Sequence, residues 1–259
     1  MCIRDSSVKH KKTFDYIFNK TEAITLEQSK LTLSKDITVL SFSDSSMVDR
    51  NSSIIKVDSG WIVYSKNSES SILSFTSDGQ FSGYIGHRGN GPGEYTSVYD
   101  VVVNQKSKVL EVLSDGGIFC YTFGGDFLDK KEVTYPAFSF AIDDRQNYWF
   151  YVGNNTTYGD AKMICTDENI ANVAYYLHQK SNMLPMVENN FGRNGEWLTF
   201  HESLNHDLYT IENGKLDLSY AMDFPNYKLP KKLHELSGME VIEELQRSNY
   251  ASIINYLEN

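Results

Sequence analysis

Thirteen residues, GYIGHRGNGPGEY at 83–95, gather the groups in this sequence best suited to hold a ligand. They are His87, Arg88 and Glu94 on a backbone of Gly89, Gly91, Pro92 and Gly93, closed by Tyr95. An arginine so placed offers a planar fork that can pair with a carboxylate or phosphate through two parallel hydrogen bonds. The glycine spacing is not that of a phosphate cradle. A P-loop needs GxxxxGK followed by Ser or Thr and a helix, and a dinucleotide fingerprint needs GxGxxG at a strand-to-helix turn. Here no lysine is present, and the YTSVYDVVV that follows reads as a strand. Pro92 and Gly93 suit the central positions of a type II turn, proline fixing φ and glycine accepting φ above zero. Two readings stay open. The segment is a crossover from the outer strand of one sheet to the inner strand of the next, or it is a loop on which His87, Arg88 and Glu94 hold an anionic or polyhydroxylated ligand.

Other clusters carry less chemistry. HESLNH, from His201 to His206, lacks the HExxH spacing that puts two zinc-ligating histidines on one helical face. No GxSxG nucleophile turn and no alternating acidic calcium loop occurs in the chain. Cys2, Cys120 and Cys165 fall at no metal or redox spacing, and an odd number of thiols argues against a disulfide framework. No catalytic residue, metal site or cofactor is expected.

The elements that position the loop follow from recurring turn signals. Asp58-Ser59-Gly60, Asn104–Ser107, Asp144–Asn147 and Arg193-Asn194-Gly195 each join two strand-like runs. A second set follows each after about twenty residues. Taken at Gly79, Gly125, Glu168 and Gly214, it recurs at spacings of 46, 43 and 46. Two hairpins per period of about 45 residues predict an all-β fold, a β-propeller of four-stranded antiparallel blades. A β-sandwich also spaces strands by 8–12 residues, but need not keep two turn types in phase over four periods. Blades are expected near 51–95, 97–136, 138–184 and 186–224, in one domain over 13–259 behind an unstructured segment 1–12. Residues 13–43 hold strand-like runs suited to closing a ring. A helix is expected over 238–247, with Met239, Ile242 and Leu245 marking one face, and 250–259 reads as the start of a further blade. Four blades leave a ring incomplete, so a fragment of a larger propeller is expected.

The 259 residues carry 41% hydrophobic side chains, enough for a sizeable core, and a net charge of −10. That charge, with no basic cluster beyond His10-Lys11-Lys12, excludes a nucleic-acid footprint. No run approaches the length of a membrane span.

IGHRGNGPGEY after a blade-like repeat, followed by FPNYKLPKKL, a short acidic helix and SNYASIINYLEN, resembles six-bladed β-propellers abundant in Bacteroidetes and distantly related to NHL-repeat propellers. The resemblance covers roughly residues 13–259. It implies six blades and an extracytoplasmic location, in the periplasm or at the cell surface, often with a lipid anchor. It supplies no substrate, since most such proteins have no established activity. The expected role is that of a non-enzymatic binding or scaffold propeller for a carbohydrate, peptide or protein. The alternative is a hydrolase or lyase with its site on the central axis.

Overall fold

The computed structural model describes residues 37–41, 48, 52–66, 71–154, 159–178, 189–194, 197–202, 205–221, 231–236 and 239–247. Among them run sixteen strands, in four sheets of four. The first sheet holds β1 (Ser53–Val57), β2 (Gly60–Tyr64), β3 (Leu73–Thr76) and β4 (Phe81–Tyr84), and the second β5 (Asp100–Asn104), β6 (Val109–Ser114), β7 (Gly117–Tyr121) and β8 (Phe127–Glu132). The third holds β9 (Ser139–Ile142), β10 (Tyr148–Tyr151), β11 (Ala161–Thr166) and β12 (Ala174–His178). The fourth holds β13 (Phe191–Asn194), β14 (Trp197–His201), β15 (Asp207–Glu212) and β16 (Lys215–Ala221). Each sheet is an antiparallel meander in chain order, and the sheets are the blades of a propeller.

Position within a blade follows from neighbours and burial. β5 lies against β9, and β9 against β13, so first strands are innermost. Fourth strands form the outer edge: β8 is exposed along most of its length, while β9, β10 and β11 are buried throughout. Along the middle strands both side-chain directions meet a neighbouring blade, because successive residues point to opposite faces of a sheet. Val112 packs with Ile62 and Ile85 of the first blade, whereas Leu113 packs with Phe140 and Phe150 of the third. Tyr148 and Phe150 face the second blade, while Trp149 and Tyr151 face Leu198 and Phe200 of the fourth. Burial on both faces is why YWFY reads as a continuous apolar run and VLEVLS does not alternate between apolar and polar. Each such side chain contributes about 1.5–3 kcal/mol on burial. The exposed face of a lone four-stranded sheet would forgo that, so the blades stabilise one another.

The second turn recurs in each blade, and in the third its matching position is shifted from the expected one. Thr76–Gln80 and Thr122–Asp126 have the same backbone pairing, with Gly79 and Gly125 at φ of +88° and +99°. The equivalent in the third blade is Asp167–Ala171, with Ile170 at φ +59°, so the matching position lies two residues beyond Glu168. Ile170 adopts a conformation that glycine normally occupies because the Asp167 carboxylate accepts bonds from Asn169 N and Ala171 N and fixes the turn. In the fourth blade Asn213-Gly214 forms a two-residue turn, both residues at positive φ.

At the N-terminal side, Ser41 bridges to Gln80 and Leu40 packs on Val63, Leu73 and Phe75, so this stretch covers the first blade. A 3-10 turn at Lys231–His234 precedes α1 (Met239–Arg247). The helix buries Val241, with Leu245 against Leu233 and Leu236, while Ile242 is exposed. Leu245 of the expected stripe thus lies on the packed face, while Val241 takes the place expected for Ile242, an i, i+4 pair. Cys120 and Cys165 are free thiols buried in two different interblade cores, and burial pushes both up to about 12. Cys2, the ring-closing runs within 13–36, the Gly195 turn residue and 250–259 lie outside the described residues.

Candidate functional site

The crossover from β4 to β5 runs along the second blade from its β7–β8 turn to its β6–β7 turn. At one end Gly86 N donates to Gly125 O, and at the other Thr96 Oγ1 donates to Asp115 Oδ2 at 2.7 Å. In between, the chain folds back on itself, with Gly89 N bonded to Tyr95 O and Tyr95 N to His87 O. Glu94 N donates to Gly91 O across Pro92 and Gly93, and Gly93 has φ +75°, the type II turn expected from the sequence.

Each residue of the segment has a definable place. Tyr95 is buried, its hydroxyl between Ile72 N and Ile85 O, and that burial pushes the phenol up. Tyr121 packs its ring edge-on against Tyr95 and donates to Gly93 O at 2.8 Å. Glu94 turns inward: its Oε2 accepts from Gly91 N at 2.8 Å and occupies the space that a side chain at position 89 would need. Pro92 is exposed at the tip. His87 and Arg88 also project to solvent. Arg88 Nε donates to Thr96 O at 3.2 Å, leaving both Nη groups without a bond among the described residues. The structure thus brings His87 and Arg88 to a surface whose shape is set by Glu94, Tyr95 and the glycines.

The surface continues toward the inner strands. Asp115 accepts from Thr96 Oγ1, from Ser97 Oγ at 3.2 Å and from Tyr99 Oη at 2.5 Å. These bonds, Tyr99's foremost, hold its carboxyl below the usual carboxylate range, and the same contact raises the Tyr99 phenol. Tyr99 immediately precedes β5 and bonds Leu113 O through its amide. Phe138, preceding β9, bonds Tyr151 O in the same way, so the two are equivalent positions of adjacent blades.

Beneath them lies a layer of buried polar groups not apparent in the sequence. Asp100, the first residue of β5, pairs with Lys66 of the first blade at 2.8 Å and accepts from Phe140 N of the third. Ser139 Oγ, in β9, donates to Asn190 Oδ1, and Asn190 exchanges bonds with the His201 backbone. Glu202 accepts from Lys162 Nζ at 3.0 Å and from Tyr151 Oη at 2.9 Å, tying the third blade to the fourth. His201 is buried beside it, and that burial lowers its basicity. Within HESLNH, then, His201 and Glu202 serve the interblade layer. Partners in different blades here lie 34 to 51 residues apart, a pairing that no local spacing reveals.

At least one further interblade network has this form. Glu111, buried in β6, accepts from Asn104 Nδ2 and from Tyr148 Oη, and Lys131 Nζ donates to the same phenol.

Comparison with known proteins agrees with the architecture. A Bacteroides fragilis protein provisionally named as exported superposes with a TM-score of 0.70 at 15% identity, over 82% of this chain. A member of the DUF4221 family from Bacteroides vulgatus gives 0.47 at 11% identity, covering 71% of this chain and 61% of its own. A streptogramin B lyase gives 0.44 at 18% identity, covering 71% and 57%. The chain spans 63% of the length of the Bacteroides fragilis protein. No curated protein matches it. No helix among the described residues is long and apolar enough to cross a membrane. Residues 9–259 match the family described as a domain of unknown function, DUF4934, and the chain belongs to that family.

Proposed function

We propose that this protein is a non-enzymatic binding propeller, acting outside the cytoplasm as part of a six-bladed ring, and that it captures a carbohydrate, peptide or protein on the face carrying the β4–β5 crossover. The observation that carries this reading is Arg88: its Nε is anchored on Thr96 O while both Nη groups face solvent, on a loop held rigid by Tyr95 and Tyr121. A donor fixed in advance costs little ordering entropy when a ligand arrives. His87 adds a second exposed ring beside it. The extracytoplasmic location draws support from the provisional name of the Bacteroides fragilis relative, and the six-bladed form from the sequence resemblance.

A second reading, a propeller hydrolase or lyase, is favoured by the convergence of His201, Glu202, Lys162 and Tyr151 near the inner-strand ends. Those groups are buried and bonded across blades, which suits a structural tie better than contact with substrate.

Screening the protein on glycan and peptide arrays, followed by calorimetric titration of each hit, tests the binding reading. Arg88→Ala should weaken binding at least about tenfold, the loss of one or two charge-assisted hydrogen bonds, without lowering the melting temperature. A hit indifferent to Arg88→Ala and His87→Ala, or a turnover that vanishes in Glu202→Gln, would overturn it.

A further inference from the structure

Tyr99 and Phe138 are the feature of this face that Arg88 does not explain. They occupy equivalent positions in adjacent blades, immediately before the inner strands, and as residues they are 39% and 38% exposed. Phe140 N bonds Asp100 Oδ2 at 3.0 Å, so the two chain segments run side by side. Tyr99 is held in place by its hydroxyl bond to Asp115. Two exposed aromatic residues, one of them pinned, thus stand on one rim.

The polar groups around them have spare capacity of both signs. An ionised carboxylate offers about four lone-pair sites. Asp115 uses two on Oδ2, for Thr96 and Ser97, and one on Oδ1, for Tyr99, which leaves one acceptor position open beside the Tyr99 ring. Arg88, linked to the same group through Thr96, offers its Nη donors. A ligand matching this surface has an apolar face to lie on an aromatic ring, and hydroxyls at its edge that both donate and accept. A polyanion fits poorly, because the Asp115 carboxylate stands at the centre of the patch and the chain carries a net charge of −10.

Resting on the binding reading above, we propose that the ligand is a neutral oligosaccharide, with one pyranose ring stacked on Tyr99, another on Phe138, and hydroxyls bonded to Asp115 and Arg88. Rigid aromatic side chains give large contact area at low entropic cost, which makes them the anchors expected to dominate affinity.

The test is calorimetric titration of the full chain with cello-, malto-, manno- and xylohexaose, and with hexagalacturonate as the acidic counterpart. At least one neutral hexaose should bind. Tyr99→Ala and Phe138→Ala should each weaken it at least tenfold, and Tyr99→Phe, which keeps the ring, should weaken it less than Tyr99→Ala. Melting curves of the variants confirm that each is folded. Absence of binding by every neutral hexaose up to about 5 mM, weaker than any useful affinity for such a ligand, overturns the proposal. So does binding that both alanine variants retain. Capture of hexagalacturonate or an array peptide that depends on Arg88 but not on the two rings overturns the neutral-oligosaccharide assignment and leaves the binding reading standing. Binding indifferent to Arg88 and to both rings removes both.

Discussion

Replacing Lys162 with methionine should lower the unfolding free energy by about 3–5 kcal/mol, because it leaves a carboxylate buried without its cation. Glu202 and Lys162 are almost fully enclosed, and the pair spans the third and fourth blades at 3.0 Å. After the substitution Glu202 keeps Tyr151 Oη and Asn205 Nδ2 as donors, but neither neutralises its charge. The double variant Lys162→Met with Glu202→Leu should recover most of the loss, since replacing both partners with apolar groups of similar size removes the desolvation cost along with the attraction. Urea denaturation of the four proteins of this cycle gives the coupling directly. A loss below about 1 kcal/mol for Lys162→Met would put the pair in water and contradict its role as an interblade tie.

Gly125→Val should cost at least about 3 kcal/mol, through steric overlap and backbone strain together. Gly125 sits in the β7–β8 turn at φ +99°, where a Cβ would lie 2.4 Å from Tyr84 O of the first blade. The obstacle is backbone, which cannot swing away as a flexible side chain would. Gly159 supplies the control: it too has positive φ, at +72°, but nothing lies within 4 Å of its Cβ position. Gly159→Ala should therefore cost only the conformational penalty of about 1–2 kcal/mol. Thermal denaturation separates the two, and equal costs would mean that the first and second blades do not approach at Gly125.

Local chemistry was readable from the sequence where it is written in neighbouring residues. Pro92-Gly93 specifies its turn because φ is fixed at one position and permitted at the next, and both are visible in the letters. The β3–β4 and β7–β8 turns were equally plain from Gly79 and Gly125. The third turn lies at Glu168-Asn169 as expected, but the position matching Gly79 and Gly125 is two residues beyond Glu168, because Ile170 fills the glycine position and Asp167 does the stabilising through bonds invisible without coordinates. On the helix Leu245 packs as expected, but Ile242 does not, for a related reason: Val241 and Ile242 are both apolar, and only packing on Leu233 decides which is buried. At the site, the letters gave the candidates His87, Arg88 and Glu94 but not their directions. Glu94 bonds its own loop while Arg88 reaches solvent. The ties from Asp100 to Lys66 and from Glu202 to Lys162 join residues 34 and 40 positions apart, and their identity depends on which blades are neighbours.

Blades leaning side by side, with first strands innermost, are what bring Arg88, Asp115, Tyr99 and Phe138 to one rim, and hydrogen–deuterium exchange tests that layout most directly. Amides of β9, β10 and β11, buried on both faces, should exchange slowest, and those of the outer strand β8 much faster despite its antiparallel pairing with β7. Protection of β8 equal to that of β9 would mean that the outer edge is covered by another layer, and the side-by-side arrangement would be contradicted.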